Sequence, residues 1–151
     1  MRIPPITYSY QNPNNNWYSR PQFTSIASKI PKITKEQQCE LGVFMHHIYE
    51  YKKGLRSLIL TTEKPANREY IEYRLKREKI PYVVQEVGGK VINVYFGDEN
   101  CINVVKTFKK PLSKLSDEQD FMLGIMLGYD KILQCKRYLK RLGSRAGSNK
   151  G

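Results

Sequence analysis

The chain has no long apolar run. Its longest uncharged apolar stretch, residues 121–129, contains nine residues, whereas a membrane-spanning helix needs about 20. Residues 1–6 include two prolines and lack the apolar central region of a signal peptide. The sequence therefore predicts no membrane partner and a cytoplasmic protein.

Cysteine and histidine are scarce. The three cysteines, Cys39, Cys101 and Cys135, are odd in number and far apart, which argues against a disulfide framework and a structural zinc site. Cys101 and Cys135 fall on apolar faces of helical patterns and are expected to be buried thiols. Phosphate-binding loops, nucleophile elbows and paired catalytic carboxylates are missing. The sequence thus predicts no catalytic residue, metal or cofactor and favours a non-catalytic protein over an enzyme.

The positive charge is concentrated at the two ends of the chain. Of the formal net charge of +12, ten charges lie in residues 1–34 and 136–151, which contain no acidic residue. Such ends attract an anionic partner, although they can also serve only to keep a protein soluble. The candidate contacts to an anionic partner are Trp17, Tyr18, Arg20, Lys136, Arg137, Lys140 and Arg141.

The sequence divides into three segments. Residues 1–34 hold five of the eight prolines and a polar asparagine-rich run. They show no apolar periodicity, so we expect a disordered basic and aromatic tail there. Residues 35–142 are expected to form a single α+β domain, and residues 143–151 a flexible basic C-terminal tail.

The central segment predicts a small three-stranded sheet and about five helices. Thr34 and Gln37 match a capping box, so a helix is expected to begin there. Residues 41–53 are expected to be helical, with a strand over residues 43–49 as the alternative. Gly88 and Gly89 suit a tight hairpin. The expected strands cover residues 55–62, 82–87 and 91–96, and further helices are expected over residues 65–79 and after Asp98.

A long C-terminal helix is predicted from Ser116 to Leu142, with a bend near Gly124 or Gly128. Its two apolar faces together are wider than one side of a sheet requires, and a three-stranded sheet offers little to the second of these helix faces. We therefore expect part of this surface to pack against another chain in a homodimer, with the two glycines allowing close approach of helices. The interface candidates are Phe121, Gly124, Ile125, Gly128 and Tyr129.

Two adjacent histidines precede a glutamate. On a helix, His46 and His47 lie about one turn from Glu50, and imidazole beside carboxylate can build a metal site or a general base. Neighbouring side chains on a helix point about 100° apart, so the two imidazoles cannot chelate one ion without other ligands. The alternative is one packed and one exposed histidine. The candidate polar site comprises His46, His47, Tyr49, Glu50 and Arg56.

Several runs of residues in the central segment match a known family. They are His46–Glu50, Lys53–Arg56, Val94–Gly97, Glu118–Phe121, Leu123–Asp130, Gln134, Cys135 and Tyr138. These runs resemble DUF2023, a bacterial family of uncharacterised proteins. The resemblance covers roughly residues 43–141, so the first 40 residues depart from it. It implies three strands, five helices and a homodimer, and no established activity. It also points to flavodoxin, an acidic electron carrier encoded near such proteins, as the partner.

Three functions remain open from the sequence. The favoured one is an adaptor or regulator that docks on an acidic protein such as flavodoxin. The alternative is nucleic-acid binding, to RNA or the ribosome, through the basic aromatic ends. This alternative lacks a recognised motif and a basic stripe in the core. The third is a metal-dependent or redox enzyme that uses His46, His47, Glu50 and Cys101.

Overall fold

The computed structural model describes residues 30–148 and confirms the predicted α+β class, with a three-stranded sheet. Within this range there are six α-helices rather than about five, and none is both long and apolar enough to cross a membrane. Residues 1–29 of the predicted N-terminal tail lie outside the described residues.

The helices are α1 (Lys35–Glu40), α2 (Gly42–Lys52), α3 (Arg68–Arg77), α4 (Glu99–Thr107), α5 (Asp117–Met126) and α6 (Lys131–Ser148). The strands are β1 (Leu58–Glu63), β2 (Tyr82–Val87) and β3 (Val91–Gly97), and short 3-10 turns cover Pro65–Asn67 and Leu112–Lys114.

The sheet is antiparallel, with β3 between β1 and β2. Gly88 and Gly89 both adopt positive φ angles, of 59° and 70°, and close the β2–β3 hairpin as their composition predicts. Strand β3 is buried from Ile92 to Gly97 because helices cover both faces of the sheet. Strand β2 is at one edge and is only partly buried.

The first face of the sheet carries α1, α2 and α3. Phe44 of α2 lies edge-on to Phe96 of β3, with ring centroids 5.7 Å apart. Both rings are fully buried. The buried cluster on this face consists of Leu41, Phe44, Ile48, Ile59, Ile71, Leu75, Ile80, Ile92, Val94 and Phe96.

The second face of the sheet is covered as well. Helices α4 and α5 and the segment between them supply apolar side chains against Leu58 and Tyr95. The apolar residues of α5 therefore divide, and Leu123 enters this core while Met122 stays exposed. The buried cluster on this face is Leu58, Tyr95, Ile102, Val105, Leu115, Leu123 and Leu127.

Helix α1 begins with a capping box at Thr34. The Thr34 hydroxyl accepts a hydrogen bond from Gln37 N–H, and the Gln37 side chain accepts one from Thr34 N–H. Gln37 also donates to the side-chain oxygen of Asn67 at 3.2 Å, which fastens α1 to the turn before α3. The helical interpretation of residues 41–53 is confirmed, because α2 runs from Gly42 to Lys52.

The predicted helix from Ser116 to Leu142 is two helices. Ser116 and Gln119 form a second capping box. Helix α5 ends at Met126, and Gly128 then takes a φ of +78°, a left-handed conformation that glycine adopts without a steric penalty. Asp130 accepts a hydrogen bond from Leu133 N–H at 2.8 Å and starts α6. The chain thus turns back, so that α6 packs on α5 and continues to Ser148.

Other boundaries differ by a few residues. Strand β1 begins at Leu58 rather than residue 55. Helix α3 follows a 3-10 turn that Pro65 opens, and it ends at Arg77, since Lys79 adopts a φ of +56° before Pro81.

Gly97 is expected to be the glycine least tolerant of a side chain. Its φ is +148°, and an added Cβ would lie 2.2 Å from the Ser57 backbone oxygen. Gly97→Ala should therefore lower the free energy of unfolding by about 3 kcal/mol or more in urea titrations. Gly143→Ala is the control because nothing lies within 4 Å of its added Cβ, and it should stabilise α6 slightly. Equal stability of the two variants would contradict this account.

Candidate functional site

The structure brings His46, His47, Glu50 and Arg56 together around one carboxylate. His47 Nδ1 lies 2.8 Å from Glu50 Oε2, and His46 Nε2 lies 3.9 Å from Glu50 Oε1. Arg56 approaches the same carboxylate at 3.6 Å. The His47 hydrogen bond is the main cause that lowers the pKa of Glu50, and Arg56 adds to it. Tyr49 stacks on the His46 ring at 6.2 Å.

Arg56 gives this cluster a structural role. Its guanidinium donates to the Leu127 carbonyl at 3.4 Å, at the C-terminal end of α5 where backbone carbonyls carry partial negative charge. Glu50 is on the first face and α5 is on the second, so Arg56 links the two helical layers around the sheet. An open cleft of about 570 Å³ lies beside this link and is lined by Glu50, Arg56 and residues 125–129.

A second carboxylate lies near His47. Glu63 is nearly buried at the end of β1, and burial raises its pKa, while the hydrogen bond from the Thr61 hydroxyl and the proximity of His47 act in the opposite direction. Even so, no group of three or more metal-ligating side chains occurs within residues 30–148. The cluster therefore provides paired charges but no set of protein ligands typical of zinc.

The three cysteines lie apart in the fold. Cys101 is half-buried on α4, and burial raises the pKa of its thiol, which keeps thiolate scarce at neutral pH. Cys135 is exposed on α6, so the prediction of a buried thiol is wrong at this position. Cys39 is exposed as well. This geometry does not favour the redox enzyme that the sequence left open.

Arginines join α6 to α5. Asp117, only 2% exposed, receives Arg141 Nε at 2.7 Å on Oδ1 and lies 3.1 Å from Arg145 Nε through Oδ2. The Arg145 approach is not aligned for a hydrogen bond, so Oδ2 has an ionic neighbour but no hydrogen-bond donor within residues 30–148. Arg137 and Arg141 both pair with Asp120, at 3.1 and 2.9 Å. The arginine side chains of α6 therefore point towards α5.

The opposite face of α6 is apolar and exposed. Ile132 and Leu139 expose 63% and 64% of their surface, and the exposed Cys135 lies between them. Alternating spacings of three and four residues are those of a coiled-coil seam. We call this the outer face of α6, and it comprises Ile132, Cys135, Leu139 and Leu142. Leu133 is exposed too, but it lies about 100° around the helix from Ile132.

The five predicted interface residues lie at the α5–α6 hairpin. Phe121 packs on Tyr138 with ring centroids 5.3 Å apart. Gly124 is buried, and an added Cβ would lie 2.3 Å from the Gln134 side chain, so its small size serves contact between helices of the same chain. Ile125 is half-buried, while Gly128 and Tyr129 are exposed. The outer face of α6 was not predicted as a separate surface, although its residues belong to the apolar pattern of the predicted C-terminal helix.

The predicted anion contacts also separate. Trp17, Tyr18 and Arg20 lie outside the described residues. Arg137 and Arg141 are engaged by α5 carboxylates, whereas Lys136 and Lys140 are exposed and form no ion pair within residues 30–148.

A basic surface on the folded domain was missed by the sequence. Four exposed lysines follow one another at the end of α4 and before α5, and in the described part of the chain none of them forms an ion pair. The signal was present, since residues 106–116 contain no acidic residue. This signal was overlooked because acidic residues elsewhere in the central segment bring the net charge of that segment close to zero. We call this the lysine surface, and it comprises Lys106, Lys109, Lys110 and Lys114.

Asp117→Asn should destabilise the protein by about 2–3 kcal/mol, measured by chemical denaturation, because it leaves Arg141 beside a neutral group at a buried site. Glu118→Gln removes the same charge one residue later on an exposed side chain, and it should destabilise the protein much less. Similar losses in the two variants would show that the helix N-terminus, rather than the Asp117 pairs, is responsible.

The chain matches the model of a known protein family. The model of the family described as Protein of unknown function (DUF2023) matches residues 42–141, which begin at the first residue of α2 and include the lysine surface and most of the α5–α6 ion pairs. No curated protein matches. The family match covers about two thirds of the chain, and the protein belongs to the DUF2023 family.

Proposed function

We propose that this protein is a non-catalytic adaptor, a homodimer that docks on an acidic protein. The observation that carries the proposal is the lysine surface, where exposed lysines lack ion-pair partners within residues 30–148. Elsewhere in this range, basic side chains are commonly paired, as with Arg68, Arg74 and Lys52. A patch of unpaired positive charge steers an oppositely charged partner and favours its association.

The candidate polar cluster supports a non-catalytic role. Arg56 and His47 are both occupied by Glu50, and Arg56 also holds the end of α5. These contacts account for the residues as links between helical layers. The exposed lysines of the lysine surface, by contrast, have no ion-pair partner within residues 30–148.

The outer face of α6 supports the homodimer. A contiguous row of exposed aliphatic side chains on a helix is typical of an interaction surface. Its seam spacing suits a helix of the same kind, and two copies would cover each other. Helix α6 carries no acidic residue, so two copies repel electrostatically, and salt should strengthen this contact by screening the repulsion.

Leu139→Asp should convert the dimer into a monomer. Leu139 is exposed in the single chain, so the change costs little folding stability but places a charge in the apolar contact. Sedimentation velocity should show wild type at twice the chain mass of 17.7 kDa and the variant at the chain mass. Val43→Asp, an equally exposed apolar position on α2, is the control and should remain dimeric. A monomeric wild type at micromolar concentration overturns the homodimer.

Reversing two charges on the lysine surface should weaken binding to an acidic protein. Flavodoxin is the probe, and Lys109→Glu with Lys110→Glu should raise its Kd by about tenfold or more at low salt. Lys35→Glu with Lys90→Glu makes the same change in net charge at exposed positions elsewhere and should change the Kd much less. Calorimetry on folded dimers is the measurement.

A single-stranded oligonucleotide, titrated in parallel, distinguishes the alternative. Tighter binding of the oligonucleotide than of flavodoxin, lost in the Lys109 and Lys110 double variant, would replace the adaptor with a nucleic-acid-binding protein. Equal flavodoxin affinity in both double variants would remove the lysine surface from the proposal.

A further inference from the structure

A pocket of about 230 Å³ lies between the edge strand β2 and the segment that follows α4. Val83 and Tyr95, paired across the sheet on its second face, line one side. Val105, Phe108 and Leu115 line the other. We call this the edge pocket.

The edge pocket has room for one ring-sized apolar side chain. A dry apolar cavity of about 150 Å³ holds a benzene molecule, so a phenyl group fits the larger volume of this pocket. Tyr95 is only 4% exposed. Its hydroxyl has no hydrogen-bond partner within residues 30–148. Burial raises the pKa of Tyr95 to about 12, which keeps the hydroxyl protonated and able to donate.

The pocket lies along the edge strand of the sheet. Val83, Val84 and Gln85 all line it, and the side chains of Val83 and Gln85 share one face of the strand. The edge of β2 that faces away from β3 pairs with no other strand within residues 30–148. Unpaired main-chain groups on an edge strand are a template for an added extended segment.

The rim of the edge pocket is basic. Lys106 and Lys110 line it, and both belong to the lysine surface. A segment that placed an apolar side chain in the pocket would thus bring its neighbouring side chains close to two unpaired ammonium groups. Carboxylates at those neighbouring positions would satisfy them.

We propose that the edge pocket binds an extended acidic segment of a partner protein, with one phenylalanine-sized side chain in the pocket, flanking carboxylates at Lys106 and Lys110, and main-chain pairing along the free edge of β2. This inference rests on the proposed function, since it names the part of the acidic partner that is recognised. It goes beyond charge attraction because it requires an apolar anchor at a defined position.

The test uses three short fluorescent peptides on the full-length wild-type protein. The first carries one phenylalanine flanked by aspartates, the second has serine at the phenylalanine, and the third has asparagines at the aspartates. The first peptide should bind at least about tenfold more tightly than either of the other two, as measured by fluorescence anisotropy. Amide chemical shifts should change at residues 83–85 and 106–110 when the first peptide is added.

A matched pair of variants tests the position. Val83→Trp fills the pocket and should weaken the first peptide by about tenfold or more. Val87→Trp makes the same change on the same strand and the same face, outside the pocket, and should bind normally. Well-dispersed amide spectra establish that both variants fold.

The outcomes separate this inference from the proposed function. Equal binding of the phenylalanine and serine peptides, or equal binding by the two tryptophan variants, overturns the edge pocket as the anchor site. Flavodoxin binding by the lysine variants is decided independently of these results. Loss of flavodoxin binding in the Lys109 and Lys110 variant, with no discrimination among peptides, retains the lysine surface as the docking site for an acidic partner and removes the pocket.

Discussion

The buried carboxylate of Asp117 determines which side of α6 faces α5. Helix α6 carries arginines on one side and aliphatic residues on the other, and only one side can face α5. The carboxylates of Asp117 and Asp120 select the arginine side. A buried ion pair often adds little net stability compared with an apolar contact. Here its effect is to decide which residues remain outside, and the exposed outer face of α6 is the result.

The same arrangement changes the meaning of the net charge. Counting residues places six positive charges in residues 136–151, but Arg137, Arg141 and Arg145 pair with the two carboxylates of Asp117 and Asp120. Conversely, the central segment is nearly neutral in total and yet displays four unpaired lysines together. Charge that is available to a partner therefore depends on which side chains are paired in the fold.

Local signals allowed much of the fold to be predicted from the sequence. The capping box at Thr34, the helix start at Ser116 and the glycine hairpin are formed as expected, because each depends on residues a few positions apart. The α5–α6 break was missed because the apolar period continues through Gly128, a residue that tolerates both a helix and a left-handed turn. The ion pairs that favour the turn join residues 17 to 28 positions apart. The cluster around Glu50 was found because helical spacing brings His47 to it, whereas the contact of Arg56 with Leu127 was not predictable from local spacing.

The four residues between α5 and α6, Leu127 to Asp130, also bear on how the protein opens. Helix α6 is fastened to α5 largely by arginine side chains that are partly solvated, whereas the sheet and the other helices share two buried apolar clusters. Hydrogen exchange reports such differences as separate cooperative units with separate opening free energies. We therefore expect α6 to form the unit of lower opening free energy, and rising ionic strength to lower that free energy further while the sheet amides remain protected.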